Sequence, residues 1–290
     1  MFKGSICAIV TPFKNGKVDE GKLRELIEFQ IANGTDGIVP CGTTGESATL
    51  TYQEHHQIID FTIRVVDRRI PVIAGTGSNS TAESIALTQY AKAAGADGAL
   101  LITPYYNRPT QKGLVAHFRA VAEAVQIPMV IYNVPARTGV NMLPETVAEL
   151  KDIPHIVAVK EASGSLQQIT ELVTLCGDRI SVLSGDDFIV MPILSVGGKG
   201  VISVVANVAP ALMASLVDAF EAGEFARASQ IQREIFPLCQ AMFLETNPIP
   251  VKTALALMGK MDGELRLPLV AMGEGNLKKL KEILAKYRLI

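Results

Sequence analysis

A chain of 290 residues, 48% of them hydrophobic and 19% charged, holds enough apolar material for one large core and too little charge to stay unfolded. Its net charge of −2 comes from interspersed basic and acidic residues, which excludes the basic footprint needed for nucleic acid or an anionic membrane. No apolar run is long enough to span a bilayer, and the short one at the amino terminus, cut by Thr11-Pro12, does not read as a signal peptide. Four widely spaced cysteines, Cys7, Cys41, Cys176 and Cys239, form no CxxC pair. Free thiols in a reducing cytoplasm are expected.

Residues 5–10 read as a buried strand ending at Thr11-Pro12. Asp19 caps a helix that runs to about residue 33, with Leu23, Leu26, Ile27 and Ile31 on one face. Residues 37–41 form the second strand and lead into Gly42-Thr43-Thr44-Gly45-Glu46-Ser47. The alternation then repeats: strand 70–74, helix 81–94, strand 97–102, helix 113–125, strand 129–132, short helix 144–150, strand 156–162, helix 166–175, strand 180–183, helix 188–194, strand 200–205 and helix 210–222. About eight strand-then-helix units of roughly 25–30 residues match an α/β fold of the TIM, or (β/α)8 barrel, type. Gly34, Gly95 and Gly197 open turns from helix to strand, where glycine supplies a left-handed stop. From residue 223 the pattern is helical only, over 225–245, 249–258 and 276–289. The expected organisation is a catalytic barrel over 1–222 with an all-helical carboxyl-terminal region, 223–290, packed against it rather than standing apart.

A barrel builds its site at the carboxyl ends of its strands, and Lys160 falls at one of them, after Ile156-Val157-Ala158-Val159. An ammonium among apolar neighbours is poorly solvated, so the neutral amine is favoured and can attack a carbonyl to form a Schiff base. A lysine there also has two plainer options, extending its charge to water or pairing with Glu161. The Gly42–Gly45 turn offers hydroxyls and N–H groups for a carboxylate or phosphate at a probable helix start, or else an ordinary N-cap from Thr44 or Ser47. Tyr105, Tyr106 and Tyr132 lie at strand ends, either to relay protons or as rim residues with wet tips. Arg137, in Pro135-Ala136-Arg137-Thr138-Gly139, suits bidentate capture of a carboxylate, or is simply a surface arginine. Gly75-Thr76-Gly77 is only part of a dinucleotide fingerprint. His55 and His56 are adjacent and so face different sides of a helix. His117 and His155 are isolated, and no metal site is expected.

The phrases GTTGES (42–47), TPYYNRP (103–109), YNVPARTG (132–139), VKEASG (159–164), SGDD (184–187) and NPIPVK (247–252) occur in the order and spacing of one family. On these motifs, which extend over nearly the whole chain, the sequence resembles the dihydrodipicolinate synthases of the pyruvate-dependent class I aldolase superfamily. The resemblance implies a TIM barrel assembled as a homotetramer of two tight dimers. It also implies a Schiff-base lyase that condenses pyruvate with L-aspartate 4-semialdehyde to 4-hydroxy-tetrahydrodipicolinate, with no metal or nucleotide cofactor. That reaction is the first committed step of lysine and diaminopimelate biosynthesis.

By the same resemblance Lys160 is the Schiff-base lysine, and Tyr132, Thr43 and Tyr106 form a proton relay in which Tyr106 is lent by the neighbouring subunit. Thr43 and Thr44 cradle the pyruvate carboxylate, and Arg137 takes the carboxylate of the aldehyde substrate. The backbone carbonyls of Gly185 and Ile202 line the pocket. Relatives that cleave N-acetylneuraminate or other sugar acids share the lysine and tyrosine but typically lack the arginine, so the intact Ala136-Arg137-Thr138-Gly139 favours the synthase branch. The intact set also speaks against a decayed barrel that only binds lysine. Many family members bind L-lysine as a feedback inhibitor at the tight interface, and Ala48, His55, Gly77, Asn79, Glu83 and Tyr105 match that pocket. Tyr52 departs from it, standing where enteric members carry histidine.

Overall fold

The computed structural model describes residues 2–290. Eight parallel strands follow one another along the chain: β1 (Gly4–Ala8), β2 (Gly37–Val39), β3 (Ile73–Gly75), β4 (Gly98–Ile102), β5 (Met129–Asn133), β6 (Ile156–Glu161), β7 (Ser181–Ser184) and β8 (Gly200–Ser203). Seven of the junctions are laddered in the order β2-β1-β8-β7-β6-β5-β4-β3. The eighth is closed by a parallel bridge between Ile38 and Val72 and by the Ile38 N–H donating to the Pro71 carbonyl at 3.0 Å. The sheet therefore has no free edge, and the (β/α)8 barrel expected from the alternation is the fold.

Helices α1 (Glu20–Ala32), α2 (Tyr52–Val66), α3 (Thr81–Ala94), α4 (Gln111–Ala124), α5 (Pro144–Ala148), α6 (Leu166–Cys176), α7 (Val190–Ser195) and α8 (Pro210–Glu221) surround the strands, with one extra turn at Pro135–Thr138. Most long barrel helices start on a side chain that accepts an otherwise unpaired N–H: Asp19, Thr51, Ser80, Thr110 and Ser165. Side chains alternate across each strand. Ile6, Ala8, Leu100, Val130, Tyr132, Ala158, Leu183 and Ile202 fill the barrel interior as one cluster. Ile131, Val159 and Val182 face outward onto helix residues such as Phe118, Ile169 and Leu172.

Three further helices, α9 (Phe225–Ala241), α10 (Ile249–Leu257) and α11 (Glu274–Lys286), complete the chain. Ile231, Ile235, Leu238, Leu280 and Leu284 share one continuous buried cluster with Ile9, Val10 and Val205 of the barrel. Only Ala222-Gly223-Glu224 separates α8 from α9, and α9 packs along α8.

Besides short helical turns, a long helix and a hairpin lie outside the set read from the sequence. Helix α2 spans 15 residues and carries its own signature, a capping box in which Thr51 and Glu54 satisfy each other's backbone N–H groups. A short hairpin pairs Phe13–Lys14 with Lys17–Val18 around Asn15-Gly16, both at positive φ as a tight hairpin turn demands. The helix expected over 225–245 stops at Ala241 and that over 144–150 at Ala148. Element ends follow local hydrogen bonding more than hydrophobic period.

Candidate active site

Lys160 occupies the fifth position of β6, where strand alternation sends its side chain inward with Ala158 and sends Val159 and Glu161 outward. It is 5% exposed. The ladder pairs Tyr132 with Lys160 and Asn133 with Glu161, so the amine and the phenol are cross-strand neighbours on one face. Nζ lies 4.2 Å from the centroid of the Tyr132 ring. Neither plainer option for the lysine is taken. Its charge does not reach bulk water, and Glu161 is on the opposite face, where it accepts from Asn133 Nδ2 at 3.0 Å, the Ser163 N–H at 2.7 Å and Gln168 Nε2 at 3.3 Å.

Burial brings the Lys160 pKa down to about 8, against the opposing pull of Asp187 and Asp186 and with some help from Arg137. Burial also pushes the Tyr132 hydroxyl up to about 12, with Arg137 and the Thr43 hydroxyl pulling the other way. Asp187 is buried, with Oδ2 accepting from the N–H groups of Val204 and Val205 at 3.0 and 2.9 Å. Burial and the adjoining Asp187 raise Asp186 to about 6. Gly185 leaves no space for a side chain: a Cβ there would lie 2.6 Å from the Ala162 methyl and 3.3 Å from Lys160 Cε. Glycine at that position lets the backbone run beside the lysine stem. Ile202 is fully buried on β8.

The Gly42–Ser47 segment leads only into a single 3-10 turn, Ser47–Thr49, and not into an α-helix as the sequence reading expects. Helix α2 begins only at Tyr52 and is capped by Thr51, so neither Thr44 nor Ser47 is its N-cap. The segment is instead a coil of tight turns, with the Gly45 and Ser47 N–H groups donating to the Gly42 carbonyl and that of Glu46 to Thr43. It is held from outside. Thr11 Oγ1 donates to the Gly45 carbonyl at 2.7 Å, and Asn247 Nδ2 donates to Thr44 Oγ1 at 3.0 Å. Glu46, at φ 56, forms an ion pair with Lys252 of α10 at 2.5 Å, the two side chains being 1% and 0% exposed. Glu46 also accepts from the Arg266 N–H, and Arg266 grips Glu54 with both terminal nitrogens. Lys252 and Arg266 both stand over the Phe13 ring, at 4.3 and 4.2 Å. The carboxyl-terminal region thus reaches the strand ends. Asn247, Glu46 and Lys252 were given no role from the sequence, although NPIPVK was itself one of the recognisable phrases.

Arg137 sits on the single turn after β5 and donates from Nη2 to the main-chain carbonyl of Asn247 at 3.1 Å. Tyr106 stands apart from this group. It is 90% exposed, in a left-handed conformation at φ 72, on the loop after β4. A cleft of about 450 Å³ is lined by Thr43, Tyr132, Arg137 and Asn247 together with Ala48, His55, Gly77, Glu83 and Tyr105. Asn79 is not among the lining residues, and its main-chain carbonyl accepts from Asn107 Nδ2. Lys160, Thr44 and Ile202 are not among the lining residues and are almost completely buried. Within the lining, His55 donates from Nε2 to the Gly75 carbonyl at 2.8 Å, and the hydroxyls of Ser78 and Tyr52 both donate to Glu83. Those bonds hold the Glu83 carboxyl below its ordinary range. His56 faces away and stacks on Tyr90. Among the described residues no three His, Cys, Asp or Glu side chains converge as metal ligands, and the four thiols are free and buried.

The family model described as the dihydrodipicolinate synthetase family matches residues 1–287. The chain belongs to that family. The dihydrodipicolinate synthetase family match agrees with a relative from Geobacter sulfurreducens, a 4-hydroxy-tetrahydrodipicolinate synthase 63% identical over 290 residues, with 100% of both chains covered. Two solved family structures superpose closely. The chloride-inhibited dihydrodipicolinate synthase of Acinetobacter baumannii complexed with pyruvate is 45% identical, with a TM-score of 0.98 and 100% of each chain covered. The enzyme from Cyanidioschyzon merolae with lysine bound is 40% identical, with a TM-score of 0.97, covering 100% of this chain and 99% of that one.

Proposed function

We propose that the protein condenses pyruvate with L-aspartate 4-semialdehyde to give 4-hydroxy-tetrahydrodipicolinate, through a Schiff base on Lys160. The observation that carries the mechanism is an amine of depressed pKa, about 8, sealed in the barrel beside the Tyr132 hydroxyl's own strand position. The neutral Nζ attacks the keto carbon of pyruvate and water leaves, giving the imine. The imine withdraws electrons, so a methyl proton departs and an enamine forms. Its carbon bonds to the aldehyde carbon of the second substrate, and the resulting alkoxide takes a proton. The amine of that substrate then bonds to the imine carbon and the C–Nζ bond breaks. One proton moves from the amine to the departing Lys160.

In this scheme Tyr132 and Thr43 pass protons, joined by Tyr106 of the partner subunit. Thr43 and Thr44 receive the pyruvate carboxylate, Arg137 receives that of the aldehyde, and the carbonyls of Gly185 and Ile202 line the pocket. The extreme exposure of Tyr106 supports its donation across a dimer interface within a homotetramer. No metal or nucleotide is required by this chemistry. The Ala48, His55, Gly77, Asn79, Glu83 and Tyr105 group is assigned to L-lysine as an inhibitor, with Tyr52 already engaging Glu83. The residues 1–222 and 223–290 are assigned as catalytic barrel and helical extension. No helix among the described residues is long and apolar enough to cross a membrane, and a cytoplasmic setting suits a biosynthetic enzyme with four free thiols.

The test is borohydride reduction in the presence of pyruvate, followed by peptide mass mapping. A reduced pyruvyl adduct on the Lys160 peptide is expected, together with consumption of aspartate semialdehyde. An adduct on a different lysine overturns the mechanism, and an adduct without aldehyde turnover points to a sugar-acid aldolase.

A further inference from the structure

Seven buried side-chain polar atoms lack a hydrogen-bond partner among the described residues. Two of them belong to residues lining the cleft, His55 Nδ1 and Asn247 Oδ1. Asn247 is 5% exposed. Its Nδ2 is spent on Thr44 Oγ1, and its main-chain carbonyl is spent on Arg137 Nη2. Its side-chain oxygen is therefore a buried acceptor that no protein donor meets, and such a group calls for a partner.

We propose that Asn247 Oδ1 reads the α-amino group of the aldehyde substrate, so that Arg137 and Asn247 together recognise its amino-acid end. The assignment rests on the function proposed above. In an α-amino acid the carboxylate and the amine share one carbon, so a site that holds the carboxylate on Arg137 brings the amine within a few bonds of that guanidinium. Asn247 is bonded to Arg137 on one side and to Thr44, on the pyruvate side, on the other. With the carboxylates assigned to Arg137 and Thr44 as above, this puts Asn247 between the two substrates, where the amine must be when it bonds to the imine carbon and releases Lys160. The chemistry of the acceptor also fits. A carboxylate would stabilise the ammonium and disfavour the neutral nucleophile, whereas an amide oxygen orients the nitrogen with a smaller bias toward its charged form.

The test uses succinate semialdehyde, the same carbon chain without the amine, as an inhibitor competitive with aspartate semialdehyde. For N247A the KM for aspartate semialdehyde is expected to rise about tenfold or more. The inhibition constant of succinate semialdehyde is expected to stay within about twofold of wild type, because a hydrogen bond to the amine does not touch it, while the lost Asn247–Thr44 bond is expected to raise the KM for pyruvate by less than that for aspartate semialdehyde. N247D is expected to keep its KM for aspartate semialdehyde and to lose kcat, with the covalent adduct on Lys160 accumulating in the mass spectrum. Equal weakening of both aldehydes in N247A shows that Asn247 acts only by placing Arg137, and overturns the proposal. So does a change confined to pyruvate, which would place its action at Thr44. Selective loss for aspartate semialdehyde in D186N with none in N247A gives the amine to Asp186 and also overturns it. Failure of the wild-type protein to consume aspartate semialdehyde would instead sink the function on which the proposal rests.

Discussion

At the scale of single residues, the decisive feature is an amine whose solvent has been replaced by hydrocarbon and an aromatic face. Lys160 lacks a direct ion pair and lies over Tyr132, with Asp186 and Asp187 near enough to moderate the shift without cancelling it. Only a neutral amine attacks a carbonyl, so the proposed Schiff base gives the pH dependence a definite sign. At fixed pyruvate, the rate of borohydride-trapped imine formation is expected to climb about tenfold per pH unit below pH 8 and to level off above it. A rate that keeps rising through pH 10 would mean an unperturbed lysine. The same depression implies that the native state holds fewer protons than the unfolded chain between about 8 and the ordinary value of 10.5. The contribution of this residue to stability therefore rises with pH across that window and is lowest beneath it, where the charged amine is buried.

At the scale of elements, two polar clusters flank the Lys160–Tyr132 pair. Behind β5 and β6, the Asn133–Glu161 pair sits one position beyond Tyr132 and Lys160, and Gln168 and Asn141 extend it. A one-residue slip between those strands would turn every side chain to the wrong face, and this buried network is bonded only in the observed register. In front, the Glu46–Lys252 ion pair ties the Thr43-Thr44 coil to α10. Removing one member leaves the other charge buried alone. K252M is expected to lose about 3–5 kcal/mol of stability, read from urea or thermal unfolding, and to raise the KM for pyruvate. The double replacement E46L/K252M is expected to recover most of the stability, since it removes both desolvated charges, while leaving the KM for pyruvate high. Recovery of both together would show that the pair does not position the coil.

At the scale of the whole molecule, the chain gathers four of the five residues proposed for the chemistry and leaves the fifth, Tyr106, exposed. Tyr106 lies at the end of an exposed loop, and Tyr52, Leu267 and Val270 are also large apolar groups in contact with water. If Tyr106 acts in trans, two inactive variants complement each other. Co-expression of K160A with Y106F is expected to restore about a quarter of wild-type activity, because half the randomly assorted dimers are mixed and each mixed dimer holds one intact site. Activity no greater than the sum of the parents would place Tyr106 in its own subunit's site or outside the chemistry altogether.

Much of this molecule is written in local pattern. Alternating buried strands and capped helices specify the barrel one unit at a time, because each unit's apolar period and turn residues act over a few positions. The phrases carrying Lys160, Tyr132, Arg137 and Thr43 lie at strand ends for the same reason. Local pattern was less legible where one signal hid another: the Thr51–Glu54 box and the Asn15-Gly16 turn mark real elements beside the more conspicuous Gly42–Ser47 phrase. The remainder was decided only by tertiary structure. Asn247 and Lys252 are about 200 residues from Thr44 and Glu46, being separated by 203 and 206 positions. No spacing rule joins residues so far apart. Their pairing, the dryness of Lys160 and the unmatched oxygen of Asn247 exist only once the ring of strands has closed and the last helices have folded back over its mouth.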